Sequence, residues 1–284
     1  MLNRLLAALV LIVIAVSSPL LAKDKTQEPV ITTEMREVKG KKVEYKFIDG
    51  IKVHETDPEK QPQPEIVEPK PYDANAAKAP EGATILFDGT EAALDNWTSG
   101  KGKPTKWNLV DGALESVRGG GYAISKSKFG SCQLHIEFAT PSEPKGNGQG
   151  RGNSGVFLMG IYEVQVLDSY NNTTYPDGQC GALYGRSKPL VNASRKPGEW
   201  QTYDITFHRP LFDDKGNVTK KARFHIIHNG HVIQNHVELS GGTGWRGSHS
   251  ISEYKKHADK GPLQMQDHGN PVRFRNIWIQ ELED

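Results

Sequence analysis

The chain has 284 residues, 36% of them hydrophobic, with 35 Lys and Arg against 34 Asp and Glu. A formal charge of +1 with both signs interspersed gives no basic field, so nucleic acid is not an expected partner. Two cysteines, Cys132 and Cys180, are too few for a disulfide-built scaffold; they either pair or stay as buried thiols, and their spacing does not decide.

Residues 1–22 read as an export signal. Arg4 supplies the positive start, 5–16 the apolar core, and Leu20-Leu21-Ala22 a small-residue cleavage site. The apolar run is short for a membrane span and is interrupted by Ser17, Ser18 and Pro19, so an uncleaved anchor is the weaker reading. The mature protein is expected to be periplasmic or secreted, with no membrane partner once the signal is removed. Residues 23–80 are rich in Lys, Glu and Pro, a composition that cannot support a packed core. Within them, 42–47 and 51–54 flank Ile48-Asp49-Gly50 as a β-hairpin, and 57–80 reads as a semi-rigid linker.

Residues 81–284 are long enough for one sizeable core. Strand-like runs recur at 84–87, 106–110, 113–116, 133–139, 155–159, 162–167, 201–208, 222–228, 232–235, 262–265 and 273–281, with Gly, Asn and Pro between them. In 133–138, Leu134, Ile136 and Phe138 oppose Gln133, His135 and Glu137; in 201–208, Tyr203, Ile205 and Phe207 oppose Thr202, Asp204, Thr206 and His208. Asn229-Gly230 is a strong hairpin signal. One weak helical stretch is expected around 250–257. The pattern predicts an all-β, two-sheet sandwich or barrel. Trp97, Trp107 and Trp278 are expected in sheet packing. His225, His228, His231 and His236 match no compact zinc spacing and are read as hairpin surface.

The stretch YEVQVLD, 162–168, stands out. Val164 and Val166 alternate with Glu163 and Gln165, so a strand here buries the valines and carries an acid and an amide on its other face. Asp168 follows at the strand end. The plain alternative is a half-solvated sheet face.

Several separated motifs carry a resemblance: LFDG (86–89), Trp97, GNSGVFL (152–158), YEVQVLD, GALYG (181–185), PGEWQTYDI (197–205), QMQDHG (264–269) and VRFRNIWIQEL (272–282). In this order they resemble the 3-keto-disaccharide hydrolase family over nearly all of 83–282. The resemblance implies a concanavalin A-like jelly roll and a hydrolase or lyase acting on an oxidised disaccharide or glycoside, a 3-keto-glycoside. A ketone at C3 acidifies the C2 proton, so a base can generate an enolate and expel the C1 substituent, and water then adds. Such a site needs a base, a group for the enolate oxygen and an acid for the leaving oxygen; direct hydrolysis needs instead two carboxylates about the glycosidic bond, and the sequence does not separate the two.

The resemblance places the 162–167 strand under the substrate, with Glu163 as leading acid/base and Gln165 binding a hydroxyl. Asp168 is either a second carboxylate or the cap of its own turn. In Gln266-Asp267-His268-Gly269, His268 is a site candidate, as is Gln266; Asp267 and His268 form either a proton-transfer pair or ligands for a divalent cation, and the sequence does not give the metal requirement. Arg151 and Asn153 follow a Gly-rich loop and can bind oxyanions or hydroxyls, while the loop lacks a phosphate-cradling ending. Tyr184 and Trp200 can stack on a sugar, Trp200 having core packing as its stronger alternative. Arg273 lies close to His268. Glu137, with His135, can line the same groove or form a solvated pair on an outer sheet. A non-catalytic, lectin-like carbohydrate-binding module is the rival from another class. A laminarinase-like glycosidase is weaker, because no strand carries three alternating acids. Oligomeric state is not legible.

Overall fold

The computed structural model describes residues 31–38, 41–48, 51–52, 63–244 and 253–284. The expected signal at 1–22 lies outside them, as do Asp49, Gly50, Val53 and His54 of the expected hairpin. The hairpin gains a strand: β1 (Ile31–Val38) pairs antiparallel with β2 (Lys41–Ile48), which pairs with β3 (Ile51–Lys52).

The remaining strands are β4 (Glu65–Ile66), β5 (Thr84–Phe87), β6 (Trp97–Thr98), β7 (Asn108–Val110), β8 (Ala113–Glu115) and β9 (Ala123–Phe129). They continue with β10 (Cys132–Ala139), β11 (Ser154–Leu158), β12 (Tyr162–Val166), β13 (Val191–Asn192) and β14 (Gln201–His208). The last are β15 (Leu211–Phe212), β16 (Val218–Lys220), β17 (Arg223–His228), β18 (His231–Glu238), β19 (Gly261–Met265) and β20 (Arg273–Glu281). One sheet runs β18-β17-β14-β10-β20-β8-β7, with β5 also on β20; the other runs β12-β11-β19-β9-β6. The all-β sandwich is as expected.

Alternation decides the layering. Leu134, Ile136 and Phe138 of β10 and Tyr203, Ile205 and Phe207 of β14 meet Tyr162, Val164, Val166, Val156 and Met265 of the facing sheet in one buried core. A sheet with one apolar face gains roughly 25 cal/mol per Å² by covering it, so these faces must close on each other. Trp97, Trp107 and Trp278 are all buried, and Cys132 and Cys180 are buried free thiols. At Asn229-Gly230 both φ angles are positive (48° and 79°), the backbone a tight two-residue hairpin requires.

Four expectations need correction. Residues 63–80 are not a spacer: β4 pairs parallel with β13, Lys70 N donates to the Asn229 carbonyl, and the Ala77 carbonyl accepts from Trp278 Nε1 and Asn276 Nδ2. This strap covers the outer face of the larger sheet, so His135 and Glu137 are not a solvated pair; each is 1% exposed. His228 is not hairpin surface either. It is buried against Gln201 and Asn229, and burial pulls its pKa down to about 3. The described part of the expected helix, 253–257, has no regular structure; Tyr254 Oη instead bridges the Ala222 amide and the Leu239 carbonyl. Strand β9 escaped the sequence pattern because small and polar residues, Ala123 and Ser125, fill its buried positions.

Under the strap lies a charged cluster. His135 Nδ1 is 2.6 Å from Asp204 Oδ1, and the ring stacks on Trp278. Glu137 accepts from Arg275 Nε (2.7 Å), Asn276 Nδ2 (2.9 Å) and Tyr72 Oη (2.8 Å). Burial works to raise the Glu137 pKa, but the neighbouring His135 and these donors outweigh it and hold the carboxyl down at about 2. Burial would likewise lower His135, yet Asp204 and Glu137 raise it to about 9. Glu137→Ala takes the carboxylate from Arg275 and leaves His135 with Asp204 alone, and is expected to cost about 3 kcal/mol, the low end for a broken buried pair because Arg275 is partly solvated. Urea denaturation at pH 7 measures it; a loss below about 0.5 kcal/mol, the level of an ordinary surface change, would refute the cluster's structural role.

Candidate active site

The second polar cluster lies on the outer face of the smaller sheet. Register sets its floor: Gly155 is opposite Gln165, Phe157 opposite both Glu163 and Gln264, and Gln264 opposite Ile124. Period-2 alternation adds Gln266 and Tyr122 to this face. Amides and aromatic rings thus sit side by side, with Tyr122 edge-on to Phe157 at 5.5 Å and Gln266 Nε2 donating to Tyr122 Oη (3.2 Å).

Strand β12 is held from both sides. From the facing sheet, the buried Tyr203 Oη donates to the Gln165 carbonyl at 2.8 Å. At its free edge, Gln165 N donates to the Ala182 carbonyl, Gly181 N to the Gln165 carbonyl and Tyr184 N to the Glu163 carbonyl, so residues 181–184 run beside it as an added strand. Thr243 Oγ1 accepts from Glu163 N (2.7 Å) and donates to the Ile161 carbonyl. The half-solvated alternative therefore fails: Glu163 is 5% exposed and Gln165 1%.

Gly155 makes the room. A Cβ there would lie 2.4 Å from Glu163 Oε1, so the carboxyl keeps its present position only beside glycine. The Gln165 amide donates to Gln149 Oε1 (3.2 Å) and Asn153 Oδ1 (3.3 Å); turned over, it donates to Glu163 Oε1 at 3.2 Å. Beside Glu163 stand Tyr175 and Tyr184, their hydroxyls 2.8 Å apart. Burial raises both phenols, and the Glu163 charge adds to that. No cation among the described residues pairs with Glu163. Burial alone pushes its pKa up to about 8, the range of a group that exchanges protons near neutral pH.

The other candidates sit elsewhere. Asp168 is 2% exposed and locked to Arg151, with Nε at 2.8 Å and Nη2 at 3.0 Å, while Tyr170 N closes an Asx turn on it. Both partners of that pair tie the Gly-rich loop to the end of β12. Asn153 is buried beside Gln165 and donates to the Gln149 carbonyl. His268 is exposed beside a turn closed by Asp267 onto Gly269 N. With Arg273, Trp200 and Gly150 it lines a cleft of ≈ 1050 Å³ whose lining includes neither Glu163 nor Asp168. Arg273 is paired with Glu115 (2.7 Å) and Asp111 (3.3 Å), and Arg275 stacks on Trp200 at 4.0 Å. Glu137 belongs to the opposite outer face. Glu163, Asp168 and His268 thus do not form one constellation; Glu163 stands with Gln165, Asn153 and Tyr184. Sequence reasoning missed Gln149, Tyr175, Phe157, Gln264, Tyr122 and Thr243. The alternation of β11 and β19 could have found Phe157 and Gln264, but nothing local marks Tyr175 or Thr243. Among the described residues no group of three His, Cys, Asp or Glu side chains is arranged to hold a metal ion.

Residues 82–280 match the family model described as a 3-keto-alpha-glucoside-1,2-lyase-like domain. A relative from Bacteroides thetaiotaomicron, named 3-keto-disaccharide hydrolase, is 28% identical over 255 residues, spanning 72% of this chain and 79% of its own. A crystal structure from Parabacteroides distasonis, provisionally described as a glycosyl hydrolase, superposes with a TM-score of 0.69 at 43% identity, covering 78% of this chain and 93% of that one. A second structure from the same organism, at 18% identity and a TM-score of 0.52, covers 76% of this chain and all of its own, and shows the fold alone.

Because Glu163 is raised from 4.5 to about 8, the folded state holds a proton that the unfolded chain has released anywhere between those values. Its contribution to stability is therefore greatest below pH 4.5 and is lost as pH rises through about 8. Glu163→Gln removes the titration. Relative to the parent it is expected to gain stability with pH, by roughly 3 kcal/mol at pH 7. Denaturation at pH 5 and pH 8 checks this, and an equal difference at the two values would contradict it.

Proposed function

As the chain belongs to the 3-keto-alpha-glucoside-1,2-lyase-like family, we propose that it cleaves the glycosidic bond of 3-keto-glycosides, with Glu163 as the proton-transfer group. The coarser statement, a carbohydrate-active protein of hydrolase type, rests on the family and on the relatives' names. The observation that carries the finer one is a buried carboxyl without a cationic partner among the described residues, set at the edge of a floor of amides and aromatic rings.

In this reading the sugar lies on Phe157 and Tyr122, whose ring faces and edges suit C–H patches, while Gln165, Gln264 and Gln266 meet its hydroxyls. Ionised Glu163 takes the C2 proton. The C2–H electrons pass into the C2–C3 bond and the C3 oxygen becomes an enolate, which the Tyr175–Tyr184 hydroxyl pair can hydrogen-bond. The enolate electrons then form the C1–C2 double bond as the C1–O bond breaks, and the leaving oxygen takes a proton. Water adding across C1–C2 completes net hydrolysis. The raised pKa makes Glu163 a stronger base than an ordinary carboxylate, at the cost that only about a tenth is ionised at pH 7. Arg151 and Asp168 hold the loop wall in this reading, and the chemistry described needs no metal ion. The signal-like start at 1–22 supports export, placing the reaction in the periplasm or outside the cell.

Purified protein is expected to release reducing sugar from a 3-keto-disaccharide and not from its unoxidised parent. Its kcat/KM should rise with pH through about 8, following the ionisation of Glu163. Glu163→Gln should lose at least about a hundredfold, the ordinary worth of a general base. Gly155→Ala displaces the carboxyl and should lose about tenfold or more while still folding. Retained glycan binding with cleavage of neither sugar would favour the binding-module reading instead.

A further inference from the structure

Residue 63 precedes the family-matched region, which starts at 82, yet it touches the wall beside Glu163. Gln63 Nε2 donates to the Thr174 carbonyl (3.3 Å), and its Oε1 accepts from Gln179 Nε2 (2.5 Å). Between these two contacts lie Tyr175 and the 3-10 turn Pro176–Gly178. From the Gly-rich loop the same segment is held by Gln149, whose Nε2 donates to Thr174 Oγ1 (3.2 Å) and the Gly178 carbonyl (2.8 Å) while its Oε1 accepts from Gln165. The Tyr175 segment is therefore gripped twice, once by the Gly-rich loop and once by the strap. The strap's other anchors, at Asn192, Asn229, Glu137, Asn276 and Trp278, lie away from this wall.

We propose that Gln63 is a positioning residue for the Tyr175 segment, so that docking of the strap completes the wall beside Glu163. This deepens the reading of Glu163 as the proton-transfer group and rests on it. The titratable groups facing Glu163 among the described residues are the Tyr175 and Tyr184 hydroxyls, with Asp177 acting on both. Without Gln63 one grip on Thr174 and Gln179 is gone, the wall loosens, and water reaches the carboxyl.

The test follows the Glu163 carboxyl by carbon-13 NMR titration in the full chain, in Gln63→Ala and in Tyr72→Phe, alongside kcat and KM on a 3-keto-disaccharide. Tyr72→Phe loosens the strap on the opposite face and serves as the structural control. The expected result is a parent midpoint near 8 that falls toward the ordinary carboxylate range in Gln63→Ala, with kcat/KM down about tenfold. Tyr72→Phe should lower the melting temperature and leave the midpoint in place. An unmoved midpoint in Gln63→Ala, or an equal shift in both variants, would overturn the positioning role. A parent midpoint near 4.5 would instead overturn the reading of Glu163 on which it rests.

Discussion

The proposed chemistry turns on one carboxyl group held out of water, with no charge among the described residues to answer it. An acid buried in this way resists ionisation, and the fold bears that cost. Glu163 bears it on β12, which the Tyr203 phenol ties to the facing sheet and residues 181–184 close at the edge. A loose strand would let water in and return the group to ordinary acidity. Rigidity and chemistry are thus the same requirement here.

Glu137 shows what the fold does with a buried acid that it only needs to hold in place. It lies on the opposite outer face, is still less exposed, and is answered by Arg275, Asn276 and Tyr72, so its carboxyl stays ionised and its pKa falls to about 2. Asp168 also has a cationic partner, Arg151, with Nε at 2.8 Å. Among the described residues, three buried acids, two paired with a cation and one not, separate scaffold from candidate catalyst more sharply than burial or residue type could. Glu137 and Glu163 lie on the outer faces of opposite sheets, with the apolar core between them.

The sequence carried the layering because alternation is local. Tyr162, Val164 and Val166 against Glu163 and Gln165, and Leu134, Ile136 and Phe138 against His135 and Glu137, tell which side chains share a face. What alternation does not tell is whether the polar face stays wet. For Glu137 the answer came from Tyr72 and Ala77, far away in a stretch whose composition reads as a spacer. For Asp168 it came from Arg151, across a Gly-rich excursion, and for His228 from Gln201 and Asn229. His268 belonged on paper to the same site as Glu163, yet the turn closed by Asp267 leaves it exposed on the rim of another cleft. Roles that depend on a missing partner are the hardest to read from a string, because the string shows every residue and no distances.

The measurement that bears most directly on this account is the fate of the C2 hydrogen when a 3-keto-disaccharide is incubated with the protein in heavy water and followed by proton NMR. The account predicts that this hydrogen exchanges with solvent in the parent protein and not in Glu163→Gln. Equal exchange in both, or release of reducing sugar with the C2 hydrogen fully retained, would contradict it.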